Sequence, residues 1–168
     1  MFGKRRVLKK GKYVTTRKGD YVRKLANEIL RSLRPLSRRI EIVGSIRRGE
    51  KNPVDIDIVI IPKTRKKVEE VLSKKGKFIQ GGEKKVTFRI NGVKVELYYT
   101  IPEEWGAALL AYSSKFGAGI GLRVVAKMKG FKLSQYGLFN KSGRRIAGKT
   151  EREIYVKLGR PYKEPKYR

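Results

Sequence analysis

The stretch GSIRRGEKNPVDIDIVII, residues 44–61, decides the fold, because a run typical of a buried strand carries two carboxylates. Side chains alternate across a strand, so Asp55 and Asp57 are expected on one face and Ile56 on the other. Two carboxylates at this spacing repel each other unless a cation lies between them. Their oxygen atoms suit Mg²⁺ or Mn²⁺, which leave coordination positions open for phosphate. The stretch therefore predicts a strand that binds a divalent metal.

The residues around the two aspartates favour this interpretation over an exposed strand edge, where a D-x-D pattern by itself is common. Residues 58–61 are all apolar, which is typical of a strand covered on both faces. Gly44 and Ser45 allow a close backbone approach to a triphosphate, and Arg47 and Arg48 supply guanidinium groups that pair with phosphate oxygens. The combination predicts a metal-dependent nucleotidyltransferase.

A β-hairpin is predicted over residues 85–100. Apolar residues alternate on both sides of Asn91-Gly92, a turn signal that favours a two-residue loop. Glu96 falls on the polar face of the second strand, together with Lys94 and Tyr98. If this strand neighbours the one that carries the two aspartates, three carboxylates converge, and these are the minimum for two divalent ions in an in-line phosphoryl displacement.

The charge of the chain points to a polyanionic partner. Its 168 residues include 43 Lys and Arg against 15 Asp and Glu, for a formal net charge of +28, which predicts nucleic-acid binding. Cys and His are absent, which excludes disulfides, thiolate catalysis and cysteine zinc sites. Acid–base chemistry is left to carboxylates, Lys, Tyr or metal-bound water. Heavy use of Lys, Arg and Glu is also typical of thermophiles.

No apolar run is long enough for a membrane span, and the N-terminus lacks the apolar core of a signal peptide. We therefore expect a cytoplasmic protein without a membrane partner.

Three segments are predicted along the chain. They are a basic arm at residues 1–19, an α+β lobe at 20–102 and a smaller, mostly helical lobe at 103–168. The α+β lobe is expected to hold a mixed or antiparallel sheet with helices.

Two signals stand out in the C-terminal lobe. Thr150 and Glu153 have capping-box spacing at the head of a helix. Residues 115–121, KFGAGIG, are rich in glycine and are predicted to form a flexible loop.

The motifs GSIRRG and DIDIVI at this spacing resemble the nucleotidyltransferase signature of the family X DNA polymerases, the group that includes DNA polymerase beta. Residues 105–139 resemble the start of that family's nucleotide-selecting lobe, and residues 150–168 are similar to its C-terminal ending. The resemblance implies a palm at 20–102 followed by a thumb-like lobe at 103–168. It also implies a template-directed DNA polymerase that extends a primer 3′-OH by a two-metal mechanism, with short-gap repair as its setting.

The resemblance implies roles for individual residues. Asp55 and Asp57 are expected to bind both Mg²⁺ or Mn²⁺ ions, and Glu96 stands where the family has its third carboxylate. That group ligates the catalytic metal and helps to take the proton from the primer 3′-OH. The remaining expected contacts are Gly44, Ser45 and Arg48 with the β and γ phosphates, Tyr112 with the nucleotide sugar, Lys94 with the primer phosphate, and Arg123 with the template strand.

Two alternatives stay open at this point. One is a template-independent nucleotidyltransferase that acts on DNA or RNA ends. The other, from a different class, is a catalytically inactive basic module that only binds nucleic acid.

The short segment before Gly44 leaves no room for the family's N-terminal lyase domain or its helix-hairpin-helix modules. We therefore expect a minimal member without lyase activity. The basic arm is expected to supply phosphate contacts in their place. The expected partners are gapped DNA or template–primer and nucleoside triphosphates, bound by a monomer that works with repair proteins.

Overall fold

The computed structural model describes residues 4–9 and 12–168. Its elements are, in chain order, β1 (Lys4–Lys9), β2 (Lys12–Arg17), α1 (Gly19–Leu33), β3 (Ser37–Val43), α2 (Gly44–Arg47), β4 (Ile56–Pro62), α3 (Arg65–Lys75), β5 (Lys77–Gly81), β6 (Lys85–Ile90), β7 (Val93–Tyr99), α4 (Trp105–Ser113), α5 (Phe116–Met128), β8 (Lys132–Ser134), β9 (Gly137–Phe139), β10 (Arg145–Ala147) and α6 (Glu151–Lys157). No helix within these ranges is both long and apolar enough to cross a membrane.

The chain divides into two compact units. The first holds the described residues up to Ile46 together with Glu50–Tyr99, and the second holds Arg47–Gly49 and Thr100–Arg168. The loop between β3 and β4 therefore contributes three residues to the second unit.

A five-stranded mixed sheet with the order β3-β4-β7-β6-β5 forms the first unit. β4 and β7 run parallel, and the other neighbouring strands of this sheet are antiparallel. Both faces of β4 are covered: the four apolar residues at 58–61 are all buried, as their unbroken run predicts. The predicted α+β class with a mixed sheet is confirmed.

Helices α1 and α3 pack on one face of this sheet. Their buried residues join the core with those of the strands, which are Ile56, Ile58 and Ile60 of β4, Val86, Phe88 and Ile90 of β6, and Val93, Val95 and Leu97 of β7. Because side chains alternate along a strand, Asp57 of β4 and Lys94, Glu96 and Tyr98 of β7 lie on the face away from the helices.

The predicted hairpin is confirmed as β6 and β7. Asn91 and Gly92 have φ of +49° and +79°, the left-handed values that a type I′ turn requires at both central positions. This turn fixes the pairing register, in which Lys85 lies opposite Tyr98 and Thr87 opposite Glu96.

The basic arm contains an antiparallel hairpin, β1–β2, that was not predicted. Two of its arginines tether it to the first unit: Arg5 Nη2 donates to the carbonyl of Asn52 at 2.5 Å, and Arg17 Nε donates to that of Asn91 at 3.1 Å. Lysines and arginines occupy many positions of both strands and hide the alternation that predicts a strand. Residues 1–3, 10 and 11 of the predicted arm lie outside the described residues.

The second unit combines α4, α5 and α6 with a three-stranded antiparallel sheet, β10-β9-β8, that was also not predicted. The capping box is present: Thr150 Oγ1 accepts from the Glu153 amide at 3.2 Å. Glu153 Oε1 accepts hydrogen bonds from the amides of Gly148 and Lys149, at 2.5 and 2.7 Å, in place of the Thr150 amide that a standard capping box uses.

Residues 115–121 are not a loop, and that prediction was wrong. Helix α5 begins at Phe116 and runs through all three glycines of this stretch. The later turns explain why, since Ala126 is buried and Leu122 and Val125 pack against the core of the second unit. Tertiary packing of these turns outweighs the poor helix propensity of glycine.

One apolar stripe of α5 is exposed. Phe116, Ile120, Val124 and Met128 recur every fourth residue and are 85%, 41%, 51% and 82% exposed. The surrounding sequence is free of acidic residues, since no Asp or Glu occurs between Trp105 and Thr150. We call these four residues the α5 stripe.

Candidate active site

The candidate site lies where β4 and β7 run side by side. Their parallel register places Asp57 directly opposite Glu96. Both side chains project from the face of the sheet that α1 and α3 leave uncovered. The sequence predicted converging carboxylates only if these two strands were neighbours. They are neighbours, and two of the three predicted carboxylates are cross-strand partners.

Gly44 lies against Asp57. Its φ is +64°, and a Cβ atom at this position would lie 2.3 Å from Asp57 Oδ2 and 3.1 Å from Asp57 Cβ, so the carboxylate would have to move. Val43, immediately before it, is the register partner of Asp57 on β3. The sequence therefore needs glycine here for two reasons, the left-handed backbone and the contact with the carboxylate.

Two lysines and a tyrosine surround Glu96. Lys85 Nζ lies 2.9 Å from Glu96 Oε1, and Lys94 Nζ lies 3.1 Å from Oε2. The Tyr98 hydroxyl is 3.2 Å from Glu96 Oε2 and 3.4 Å from Asp57 Oδ1, so that its single proton can be donated to either carboxylate. Lys94 Nζ is also 4.0 Å from Asp55 Oδ2.

The two opposing carboxylates have opposite electrostatic environments. Burial, and then the negative charges of Glu96 and Asp55, raise the pKa of Asp57 from 3.8 to about 6. Burial also acts to raise the pKa of Glu96, but hydrogen bonds from Lys85 and Lys94 outweigh it and lower that pKa below its ordinary value. Asp57 is thus the carboxylate that lacks a sufficient positive charge.

The donor chemistry of the site fits a divalent cation, but the carboxylates do not form a preformed triad. Among the described residues, no group of three or more acidic side chains is gathered closely enough to hold an ion. The ammonium of Lys94 lies between Glu96 and Asp55 and supplies positive charge there. Mutual repulsion separates carboxylates that have no common cation, which explains the difference from the predicted convergence.

Arg47 corrects the prediction that both arginines of GSIRRG face phosphate. Its guanidinium donates to both carboxylate oxygens of Glu151 at 2.8 Å and to Ser113 Oγ at 2.9 Å. A partly buried, bidentate Arg–carboxylate pair of this kind is a structural contact. Arg48 follows in the same three-residue segment of the second unit and is partly exposed.

The other predicted residues are placed as follows. Ser45 lies in α2 next to Gly44 and is partly exposed. Tyr112 lies in the last turn of α4, and Arg123 lies on the exposed side of α5. Arg123 lines a cavity of about 570 Å³ within the second unit, together with Ala111, Leu122 and Lys127.

Sequence reasoning missed Lys85 and the hydroxyl contacts of Tyr98. Both could have been found, because the two-residue turn at Asn91-Gly92 fixes the hairpin register and places Lys85 opposite Tyr98.

Comparison with known proteins decides the family. The nucleotidyltransferase domain family matches residues 23–115, and the DNA polymerase beta thumb family matches residues 119–168. The protein named Repair DNA polymerase X from African swine fever virus is 35% identical over 144 residues in the isolates Warthog/Namibia, Tick/South Africa and Pig/Kenya. Those alignments cover 79% of this chain and 83% of each relative. The chain belongs to the family X DNA polymerases.

The two matched domains of this family X polymerase divide the site residues between them. The nucleotidyltransferase match includes Asp55, Asp57 and Glu96, and the thumb match includes Arg123. The resemblance drawn from GSIRRG and DIDIVI is confirmed at the level of the family.

Proposed function

We infer that this chain is a template-directed DNA polymerase that adds nucleotides to a primer 3′-OH at short gaps, as a repair enzyme. The observation that carries the proposal is the register of β4 and β7, which sets Asp57 opposite Glu96 beside the glycine of GSIRRG. The membership of family X and the name of the viral relatives support polymerisation and repair.

Asp55, Asp57 and Glu96 would hold two Mg²⁺ or Mn²⁺ ions. When bound, the ions stabilise the charge that develops on the attacking and leaving oxygens of an in-line displacement. The raised pKa of Asp57 supports this assignment, since a buried carboxylate beside two others gains most from a cation.

Glu96 is proposed to accept the proton of the primer hydroxyl. Lys85 and Lys94 lower its pKa and so keep it ionised at neutral pH, ready to accept a hydrogen bond from the 3′-OH. The 3′ oxygen then forms a bond to the α-phosphorus of the nucleotide, the bond from that phosphorus to the bridging oxygen breaks, and pyrophosphate leaves.

We propose that the remaining site residues bind the two substrates. Gly44, Ser45 and Arg48 would hold the β and γ phosphates through backbone and guanidinium groups, and Tyr112 would contact the nucleotide sugar. Lys94 donates to Glu96 in this structure; once a cation balances that carboxylate, its ammonium becomes available to the primer phosphate. Arg123 on α5 would contact the template strand.

A large positive charge supports DNA as the partner. The net charge of +28 would supply sequence-independent affinity for phosphates, and the hairpin β1–β2 adds exposed cations at Lys4 and Arg6. We propose a monomer that binds gapped DNA directly and works with other repair proteins.

Primer extension tests the proposal. The substrates are a one-nucleotide gap, an open template–primer and a bare single strand, each with Mg²⁺ or Mn²⁺ and with deoxynucleotides or ribonucleotides. We expect incorporation that follows the template base, is fastest at the gap and is lost in Asp57→Asn. Glu70→Gln makes the same chemical change at an exposed residue of α3 and should extend like the wild type.

Extension of the bare strand at an equal rate would identify a template-independent transferase. Intact DNA binding without any incorporation would identify a nucleic-acid-binding module instead.

A further inference from the structure

The second unit contains an ion cluster of its own, built from Arg47, Glu151 and Arg168. Glu151, in the first turn of α6, is at its centre and has 8% of its side chain exposed. Its carboxylate accepts hydrogen bonds from both terminal nitrogens of the Arg47 guanidinium at 2.8 Å and from Arg168 Nη1 at 2.5 Å. Two arginines that are more than a hundred residues apart in sequence therefore share one carboxylate.

Both arginines are held by further contacts. Arg47 also donates to Ser113 Oγ, at the end of α4. Arg168 donates from Nε to the carbonyl of Lys163 at 2.8 Å, and its guanidinium lies 5.8 and 5.4 Å from the ring centres of Tyr155 and Tyr162. Bidentate guanidinium–carboxylate pairs and stacking on aromatic rings restrict geometry as well as supply energy.

The charge balance of the cluster makes Glu151 indispensable to it. The buried guanidinium of Arg168 and the partly buried guanidinium of Arg47 both pair with this one carboxylate, and Arg168 Nη2 has no hydrogen-bond partner among the described residues. Burial acts to raise the pKa of Glu151, but the hydrogen bond from Arg47 and the charge of Arg168 lower it, so the carboxylate stays ionised. Removing its charge would leave the buried Arg168 guanidinium without its carboxylate and would release Arg47 from the bidentate pair that holds it.

The position of Arg47 in the chain gives the cluster its significance. Arg47 is the last residue of the short helix α2, and its neighbour Arg48 is a proposed triphosphate contact. Gly44 and Gly49 bound this segment, and both have left-handed backbones, with φ of +64° and +72°. A helix of only four residues that begins at one glycine and is closely followed by another has little stability of its own, so a side-chain anchor at its end helps to fix its backbone.

We propose that Glu151 and Arg168 are positioning residues for triphosphate binding, which act through Arg47 to fix the backbone that carries Arg48. The inference rests on the proposed polymerase function and deepens it, because it places part of the nucleotide-binding machinery in the last helix of the thumb-like unit. Arg47 is then an internal anchor, and only Arg48 of the pair is left to contact phosphate.

The test measures steady-state gap filling by Glu151→Gln as a function of deoxynucleotide concentration. We expect KM for the nucleotide to rise about 10-fold while kcat at saturation stays within about 3-fold, since displaced positioning groups weaken ground-state binding here. The affinity for gapped DNA should not change. Glu164→Gln is the matched control, because Glu164 lies in the same unit in an exposed pair with Lys166 and should keep the wild-type KM.

A second variant protects the test if Glu151→Gln does not fold. Arg168→Met keeps an unbranched stem between the two tyrosines but removes the guanidinium, and it should raise KM in the same direction. Because both residues act through Arg47, the pair Arg47→Met and Glu151→Gln should raise KM no further than Arg47→Met alone.

Three results would overturn the inference. Lower melting temperatures with an unchanged KM would show that the cluster only stabilises the fold. Additive effects of Arg47→Met and Glu151→Gln would show that Glu151 acts by another route. A wild-type protein that fills no gap would overturn the proposed function and this inference with it. An active wild type, with a Glu151→Gln variant that keeps the wild-type KM, would overturn this inference alone.

Discussion

Asp57 has the most unfavourable electrostatic environment among the residues of the site. It is largely buried, it faces Glu96 across the sheet and it follows Asp55 by two positions. Lys94 and the Tyr98 hydroxyl offset only part of this cost, so that its pKa is raised to about 6. The residue that we propose as a metal ligand is therefore one that destabilises the metal-free fold.

A prediction follows for the stability of the metal-free protein. The pKa of Asp57 is about 6 in the folded state, against an ordinary value of 3.8 for an unfolded chain. The folded state therefore binds the proton more tightly than the unfolded chain. The contribution of Asp57 to the free energy of unfolding should therefore fall as pH rises from about 4 to about 6 and stay low above that, whereas the lowered pKa values of Glu96 and Glu151 act in the opposite direction. Asp57→Asn removes this loss and should raise the unfolding free energy by about 1–2 kcal/mol at pH 7.5.

Urea unfolding in EDTA at pH 4 and pH 7.5 measures this effect. Glu70→Gln serves as the control and should behave like the wild type at both values. An Asp57→Asn variant that is no more stable than the wild type at pH 7.5 would contradict the assignment.

The helices and strands that could be predicted from the sequence are those whose pattern lies within a few neighbouring residues. The hairpin β6–β7 could be predicted because Asn91-Gly92 and strict alternation fix both its turn and its register. The strand β4 could be predicted from its unbroken apolar run, and the side of the sheet on which Asp57 lies from the alternation of side chains; Asp55 lies just before the strand. Glu96 could be named for the same reason, since its polar face is a property of β7 alone.

Elements that depend on distant contacts could not be predicted. β8, β9 and β10 are three residues long and become strands only because they pair with one another. The bond from Arg47 to Glu151 joins residues 104 positions apart, and nothing in GSIRRG distinguishes a guanidinium that binds phosphate from one that binds a carboxylate. Only the first turns of helix α5 were missed, because the glycines of residues 115–121 favoured a flexible loop.

Alanine substitutions in α5 test whether residues 115–121 are helical. A Cβ atom at Gly117 or Gly121 would meet nothing within 4 Å, and alanine is a better helix former than glycine. Gly117→Ala and Gly121→Ala should each raise the unfolding free energy by about 0.5–1 kcal/mol, measured by urea unfolding. A flexible loop at 115–121 would give no gain.

Gly106→Ala is the contrasting substitution in α4. Its Cβ would lie 2.2 Å from the backbone carbon of Thr150, so the same change there should destabilise the second unit strongly.

The distribution of positive charge matters for the whole molecule as much as its total. The net charge is +28, but the lysines of α3 lie on the side of the sheet opposite the carboxylates. Cations that contact DNA release counterions on binding, whereas cations that face away from it do not.

We therefore predict two classes of lysine. Lys4→Gln with Lys18→Gln, in the exposed part of the basic arm, should reduce the slope of log affinity against log salt by about 1–2. Lys66→Gln with Lys74→Gln, which removes the same charge from exposed positions of α3, should leave that slope unchanged. Fluorescence anisotropy with gapped DNA at several salt concentrations measures both, and equal slopes for the two pairs would contradict the prediction.

The α5 stripe has a consequence for how the molecules behave in concentrated solution. Four exposed apolar side chains in an acid-free region would bring copies together, and the repulsion of their like charges keeps them apart. Salt shortens the range of that repulsion to about 3 Å at 1 M, and a polyanion cancels it outright. The protein should therefore be most prone to aggregate at the ratio of DNA to protein at which their charges cancel. Mixtures at that ratio should turn turbid, and they should become clear when either the protein or the DNA is in excess.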